Sequence, residues 1–161
     1  MSTGRPTDNP GLIMAPPLML LIALLLAAGL ELILPVLVLP EPGLGSGLSW
    51  LGAIMALASL ALEVWAVMTF RAAHTNPEPW KPTLAIVGTG PYRFTRNPMY
   101  IGMTALQLGL SLVFSLEWGV VLAPLLWLAF DRLVVAREEA YLTRKFGATY
   151  QELLDRTRRW L

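Results

Sequence analysis

Cysteine is absent from the 161 residues, and histidine occurs once, at His74. The first absence removes a disulfide framework and a cysteine nucleophile. The second excludes a multi-histidine metal site, and no metal is expected. Charge is also scarce: 14% of the residues are charged, against about 25% in soluble domains. The formal net charge of +1 argues against nucleic-acid binding as the main activity. In place of these the chain has long apolar runs, with 55% hydrophobic residues overall. That combination predicts an all-α, polytopic membrane helical bundle.

A helix needs about 20 apolar residues to cross the hydrocarbon core. Four runs meet or approach that length. They are Leu18 to Leu39, interrupted by Glu31 and Pro35; Leu48 to Phe70, interrupted by Glu63; Met99 to Leu116; and Trp118 to Val135, with Asp131 and Arg132 near its end. Before them, Met1 to Pro17 reads as irregular, and the first run reads as a retained span and not a signal peptide. Pro40, Pro42, Gly43, Gly45 and Gly47 make the first connection a loop, while Glu117 and Trp118 join the last two spans as a tight hairpin. The whole of 1–161 is expected to be one domain.

Basic residues set the orientation. Arg71, Lys81, Arg93 and Arg96 lie between the second and third spans, and seven more run from Arg132 to Arg159. The other two connections carry only Glu41 and Glu117. Both termini and the loop 71–98 are therefore expected on the cytoplasmic side of a bacterial inner or plasma membrane, with Trp50 and Trp118 at the outer interface. The C-terminal segment 136–161 is amphipathic, with Leu142, Phe146, Tyr150, Leu153 and Leu154 at helical spacing. Gly147 is expected to end one short helix, and Thr149 with Glu152 to form a capping box at the start of the next.

The segment from Gly90 to Gly102 stands out. It sets two arginines, two tyrosines, two prolines and an asparagine against the edge of an apolar span. Pro98 suits the first turn of the third span and Asn97 its N-cap, a structural role sufficient for both. A helix N-terminus also offers free N–H groups and a positive dipole end to a carboxylate. Tyr92 and Tyr100 can flank a flat or cationic group. The preceding loop is stiffened by Pro77, Pro79, Pro82 and Pro91, and its plainest reading is a rigid connector on lipid headgroups. The apolar stretch Leu84-Ala85-Ile86-Val87 within it is too short to span and needs a buried surface. Glu138 and Glu139 read either as a solvated pair or as a carboxylate wall facing the bundle. Carboxylates inside spans are candidates by default. Glu63 lies near enough to the cytoplasmic end to reach such a site, whereas Glu31 is deeper and toward the outside.

The order of these elements resembles the isoprenylcysteine carboxyl methyltransferase and phospholipid methyltransferase superfamily. The matching residues are Thr75 with Pro79 and Pro82; Gly90-Pro91-Tyr92-Arg93; Arg96-Asn97-Pro98-Met99-Tyr100 with Gly102; Glu138-Glu139; Phe146-Gly147 with Tyr150; and Arg158-Arg159-Trp160. The likeness runs from about Trp65 to Leu161. It implies S-adenosyl-L-methionine as methyl donor, held by Leu84, Ala85, Ile86, Val87, Tyr92, Asn97, Pro98, Met99, Tyr100 and, of the carboxylate pair, Glu139, with Glu138 beside it as a further candidate. It implies a lipophilic small-molecule or lipid acceptor arriving from the membrane lipids. Arg96, Arg137 and Glu63 are candidates for orienting that acceptor or supporting the site. No obligate protein partner is evident. Val134 stands where the eukaryotic carboxyl methyltransferases carry an arginine for the substrate carboxylate. Competing readings are a four-span proton-coupled exporter built on Glu31, a related nicotinamide-dependent membrane reductase, and an inactive assembly partner.

Overall fold

The computed structural model describes residues 8–161. Four apolar helices form the trunk: α1 (Pro16–Ile33), α2 (Gly47–Ala72), α3 (Pro98–Phe114) and α4 (Glu117–Ala129). A π-helical stretch (Phe130–Val135) carries α4 without a break into α5 (Ala136–Phe146), and α6 (Ala148–Arg156) follows. Among the described residues three helices, Pro16–Ile33, Gly47–Ala72 and the continuous Glu117–Phe146, are long and apolar enough to cross a membrane. At 17 residues α3 sits at the lower limit of that length, about 25 Å.

The spatial order is not the chain order. The packed pairs are α2 with α3, α3 with α4, and α4 with α1, and the α2–α3 pair is the most extensive. Its closeness follows from glycine. A Cβ on Gly52 would meet the Gly109 carbonyl oxygen at 2.6 Å, and one on Gly109 would meet the Ala56 nitrogen at 2.7 Å. Lipid tails are as apolar as leucine, so close backbone approach and buried polar contacts hold such a pair together. Buried Gln107 supplies one of these contacts, its Nε2 donating to the Gly119 carbonyl oxygen at 3.3 Å.

Because α1 and α2 lie on opposite flanks, the segment between them must cross the α3–α4 hairpin. Hydrogen bonds fasten it there. Glu117 Oε1 accepts from Val38 N and Leu39 N at 3.1 and 3.0 Å, Trp118 Nε1 donates to Leu34 O at 2.8 Å, and Gly43 N donates to Val113 O at 3.0 Å. The crossing shortens the first span. It was expected to reach Leu39 but ends at Ile33, and the chain beyond is extended. Pro35 removes a donor, and Glu31 Oε1 accepts from Val36 N at 3.0 Å in place of a helical carbonyl.

The other boundaries lie close to expectation, with two local corrections. Gly147 does break the helix, at φ +52° and ψ −121°. Yet α6 begins at Ala148 with Gly147 at the cap, so Thr149 falls inside the first turn and the Thr149–Glu152 capping box does not form. Asn97 occupies the cap position of α3, but its side chain makes no cap hydrogen bond. The expected irregular N-terminus lies outside the described residues up to residue 7; residues 8–15 carry no regular helix.

Candidate active site

At one end of the trunk, the loop 73–97, the first turn of α3, α5 and α6 surround a cleft. Its wall includes Ala85, Ile86 and Val87 on one side and Pro98, Met99 and Tyr100 on another, with Tyr92, Arg96, Asn97, Glu138 and Glu139 between them. Thr75 shapes the first wall: its Oγ1 accepts from Leu84 N at 2.8 Å and Ala85 N at 3.3 Å. Tyr92 reaches the cleft from a short 3₁₀ turn over Gly90–Arg93. Gly90 is required there, since it sits at φ +57° and a Cβ would fall 2.6 Å from Thr69 Oγ1.

The two neighbouring glutamates have different partners. Glu138 Oε1 accepts from the Tyr100 hydroxyl at 2.9 Å. Glu139 is clamped between two guanidinium groups: Oε1 accepts from Arg96 Nη2 at 3.0 Å and Arg159 Nε at 3.2 Å, and Oε2 accepts from Arg159 Nη2. Arg159 extends the chain of charges to Asp131 at 3.2 Å, and the same Asp131 oxygen accepts from Trp160 Nε1 at 3.0 Å. The Glu139 hydrogen bond holds the Arg159 guanidinium above its ordinary value, so it stays charged. Glu139 thus takes three hydrogen bonds from two guanidinium groups, while Glu138 takes a single one; both line the cleft.

The segment after α6 completes this end. Thr95 and Arg158 pair as a parallel bridge, and Arg96 N donates to Arg158 O at 2.9 Å. The Arg159 carbonyl oxygen accepts from Thr95 Oγ1 at 3.0 Å and Asn97 Nδ2 at 2.9 Å. Arg96 also donates to the Thr157 carbonyl oxygen. The Asn97 amide ties the start of α3 to the chain after α6 and leaves the first turn of α3 without a side-chain cap.

Tyr92 and Tyr100 are 4% and 3% exposed. Tyr92 stacks obliquely on Phe70, with centroids 4.7 Å apart, and its buried hydroxyl has no hydrogen-bond partner among the described residues. Burial, helped by the nearby carboxylates of Glu138 and Glu63, pushes the Tyr92 phenol well above its ordinary value; burial does the same for Tyr150. Both phenols remain neutral through physiological pH.

Three expected residues lie elsewhere. Leu84 is 63% exposed and points away from the wall that its neighbours form. Arg137 is on the outer side of α5, donating to the Gly11 carbonyl oxygen at 2.9 Å. Glu63 does not line the cleft. It is wedged against α3, where a Cβ on Gly102 would come within 2.6 Å of its Oε1, and that buried oxygen has no partner among the described residues. Conversely, sequence reasoning gave no site role to Tyr141, Tyr150 or Asp131. Asp131 did carry a signal, being a carboxylate within an apolar run.

A helical bundle with apolar spans and a polar, carboxylate-bearing cleft at one end defines a membrane protein with a candidate active site at its surface. The family model described as phospholipid methyltransferase matches residues 47–149, so the chain belongs to the phospholipid methyltransferase family and is a membrane methyltransferase. The match begins earlier than the resemblance in sequence, at the start of α2, and stops before the segment that pairs with Thr95 and Arg96. No curated protein matches the chain, and no solved structure matches it.

Proposed function

We propose that the protein transfers a methyl group from S-adenosyl-L-methionine to a lipophilic acceptor that enters from the bilayer, with the cleft on the cytoplasmic side. The observation that carries this reading is the cleft itself, whose walls come mostly from the family-matched residues and contain a buried Tyr92 hydroxyl with no partner among the described residues. A buried hydroxyl without a partner costs free energy that a ligand's polar atom can recover.

The residues present fit the donor. The uncapped first turn of α3 at Met99 and Tyr100 suits its carboxylate. Ala85, Ile86 and Val87 offer an apolar wall to its purine, and Glu138 suits its amino group or ribose hydroxyls. When bound, the donor supplies an electrophilic methyl carbon on a sulfonium. Transfer is then an in-line displacement governed by alignment, for which the chain needs neither a covalent nucleophile nor a metal. Tyr92, Phe70 and Met99 exclude water from the deep side of the cleft, and Tyr100 holds Glu138 in a fixed orientation. Arg96 and Arg159 are both engaged by Glu139, so neither guanidinium is free to take a carboxylate of the acceptor. That pairing disfavours an acceptor bearing a carboxylate.

The exporter reading is not favoured: one Glu31 oxygen serves the chain turn at Val36, at the end of the trunk away from the cleft. Calorimetric titration of the purified protein in detergent with S-adenosyl-L-methionine and S-adenosylhomocysteine tests the proposal. Micromolar binding weakened about tenfold by Glu138→Gln is expected, a loss of ~1.4 kcal/mol. No heat at millimolar ligand would overturn it.

A further inference from the structure

The segment from Asp8 to Ala15 precedes α1 and lies outside the family-matched residues. Even so, it is built into the active-site end of the molecule. Leu12 packs against the core cluster that contains Tyr100, Phe130 and Val135. Pro10 forms part of the cleft lining. Between them Gly11 turns the chain at φ +64°, its N–H donating to Asn9 Oδ1 at 2.9 Å.

One stripe of α5 is given over to holding this segment. Arg137, Tyr141 and Lys145 recur every four residues and so share a face. Arg137 Nη1 donates to Gly11 O at 2.9 Å, Lys145 Nζ sits 2.7 Å from both Asp8 carboxylate oxygens, and the Tyr141 hydroxyl donates to Asp8 Oδ1 at 2.9 Å.

Tyr141 has a second task. A phenolic hydroxyl has one donor and two acceptor positions, and all three are used here. Besides donating to Asp8, it accepts from Lys145 Nζ at 3.0 Å and from Thr83 N at 3.2 Å. Thr83 opens the stretch whose next residues, Ala85 to Val87, wall the cleft. The ring is 5% exposed and lines the same cleft.

We propose that Asp8–Gly11 is a strap across the cleft, fastened by the α5 stripe Arg137–Tyr141–Lys145, and that the Tyr141 hydroxyl makes the strap and the Thr83–Val87 wall hold a bound ligand as one unit. Tyr141 is a positioning residue: it acts on the ligand through Thr83 and Asp8. The inference rests on the cleft being the donor site proposed above.

Two measurements on the full chain in detergent separate the two ideas. Hydrogen exchange needs no ligand. Tyr141→Phe keeps the ring and the Asp8–Lys145 pair but removes the hydroxyl's bonds to Asp8, Lys145 and Thr83, so the amides of Thr83–Val87 should exchange about fivefold faster while α2 and α3 are unchanged. Stopped-flow dissociation of S-adenosylhomocysteine should then be about fivefold faster in Tyr141→Phe and in Asp8→Asn than in the wild type. Unchanged exchange over Thr83–Val87 in Tyr141→Phe overturns the coupling, and unchanged dissociation in both variants overturns the strap. If the wild type binds no S-adenosylhomocysteine, the donor reading fails and the strap's role in ligand retention fails with it; the exchange result still decides the Tyr141 coupling.

Discussion

The trunk and the cleft end of this molecule are held together by opposite means. In the trunk, α2 and α3 meet through glycine, with Gly52 and Gly109 letting one backbone touch the other. At the cleft end, α3, α5 and the chain after α6 meet through charges and amide hydrogen bonds centred on Glu139, Arg159 and Asp131. Burial from water gives no drive for helices already in lipid, so the trunk depends on fit. Near the membrane surface, where water and lipid meet, polar groups can be paired at modest cost, and the site is assembled from them. A fault in the first region should therefore prevent the bundle from forming. A fault in the second should leave the bundle standing with a slack site.

The largest effect is expected from Gly109→Leu. Its side chain would enter the space occupied by the Ala56 and Gly52 backbones, and no folded, monodisperse protein should be recovered from detergent. Even Gly109→Ala should lower thermal stability by about 1–3 kcal/mol, the usual cost of overpacking. Normal melting of that variant would break the contrast between the two regions. Next is Glu139→Ala, which takes the ionic partner from Arg96 and leaves Arg159 with Asp131 alone. We expect ~2 kcal/mol of lost stability, a buried-pair figure reduced for partial exposure, and a severe loss of methyl transfer. Helix content by circular dichroism should be retained.

Glu138→Gln should be milder in melting and still impair ligand binding, because Glu138 supports little besides the Tyr100 hydroxyl. If Glu138→Gln and Glu139→Gln had the same effect on melting and binding, the division of labour between the two carboxylates would be wrong. Asn97→Asp should cost about 1 kcal/mol, since a carboxylate cannot donate to the Arg159 carbonyl oxygen although it would serve well as a helix cap. A stabilised Asn97→Asp would restore the capping role. The smallest effect belongs to Glu31→Gln. The amide oxygen can still accept from Val36, so both melting and methyl transfer should stay within about 0.5 kcal/mol of wild type.

The trunk was largely legible in the sequence, because apolar run length reports directly on span number. It misled only between Leu34 and Leu39, where an apolar run is extended. There the crossing over the α3–α4 hairpin decides, and neighbour order in space cannot be read from hydropathy. The pieces of the cleft were also legible, since Ala85–Val87, Tyr92, Asn97–Tyr100 and Glu138–Glu139 are unusual for a span edge. How they are joined was not. The Glu139–Arg159 clamp, the Asn97–Arg159 bond and the Tyr141–Asp8 bond link residues 20 to 133 positions apart. Local pattern carries no trace of such pairs, nor of the bond from Arg137 to the Gly11 carbonyl oxygen.

The pairing of Thr95, Arg96 and Asn97 with Thr157–Arg159 also sets an order of events during biogenesis. All four trunk helices precede residue 157 in the chain, so they can enter the membrane and dock before these bonds can exist. The cleft is then the last part of the protein to close. Until it does, Glu139 lacks its Arg159 partner, and a newly inserted chain has its membrane trunk before it has a finished site.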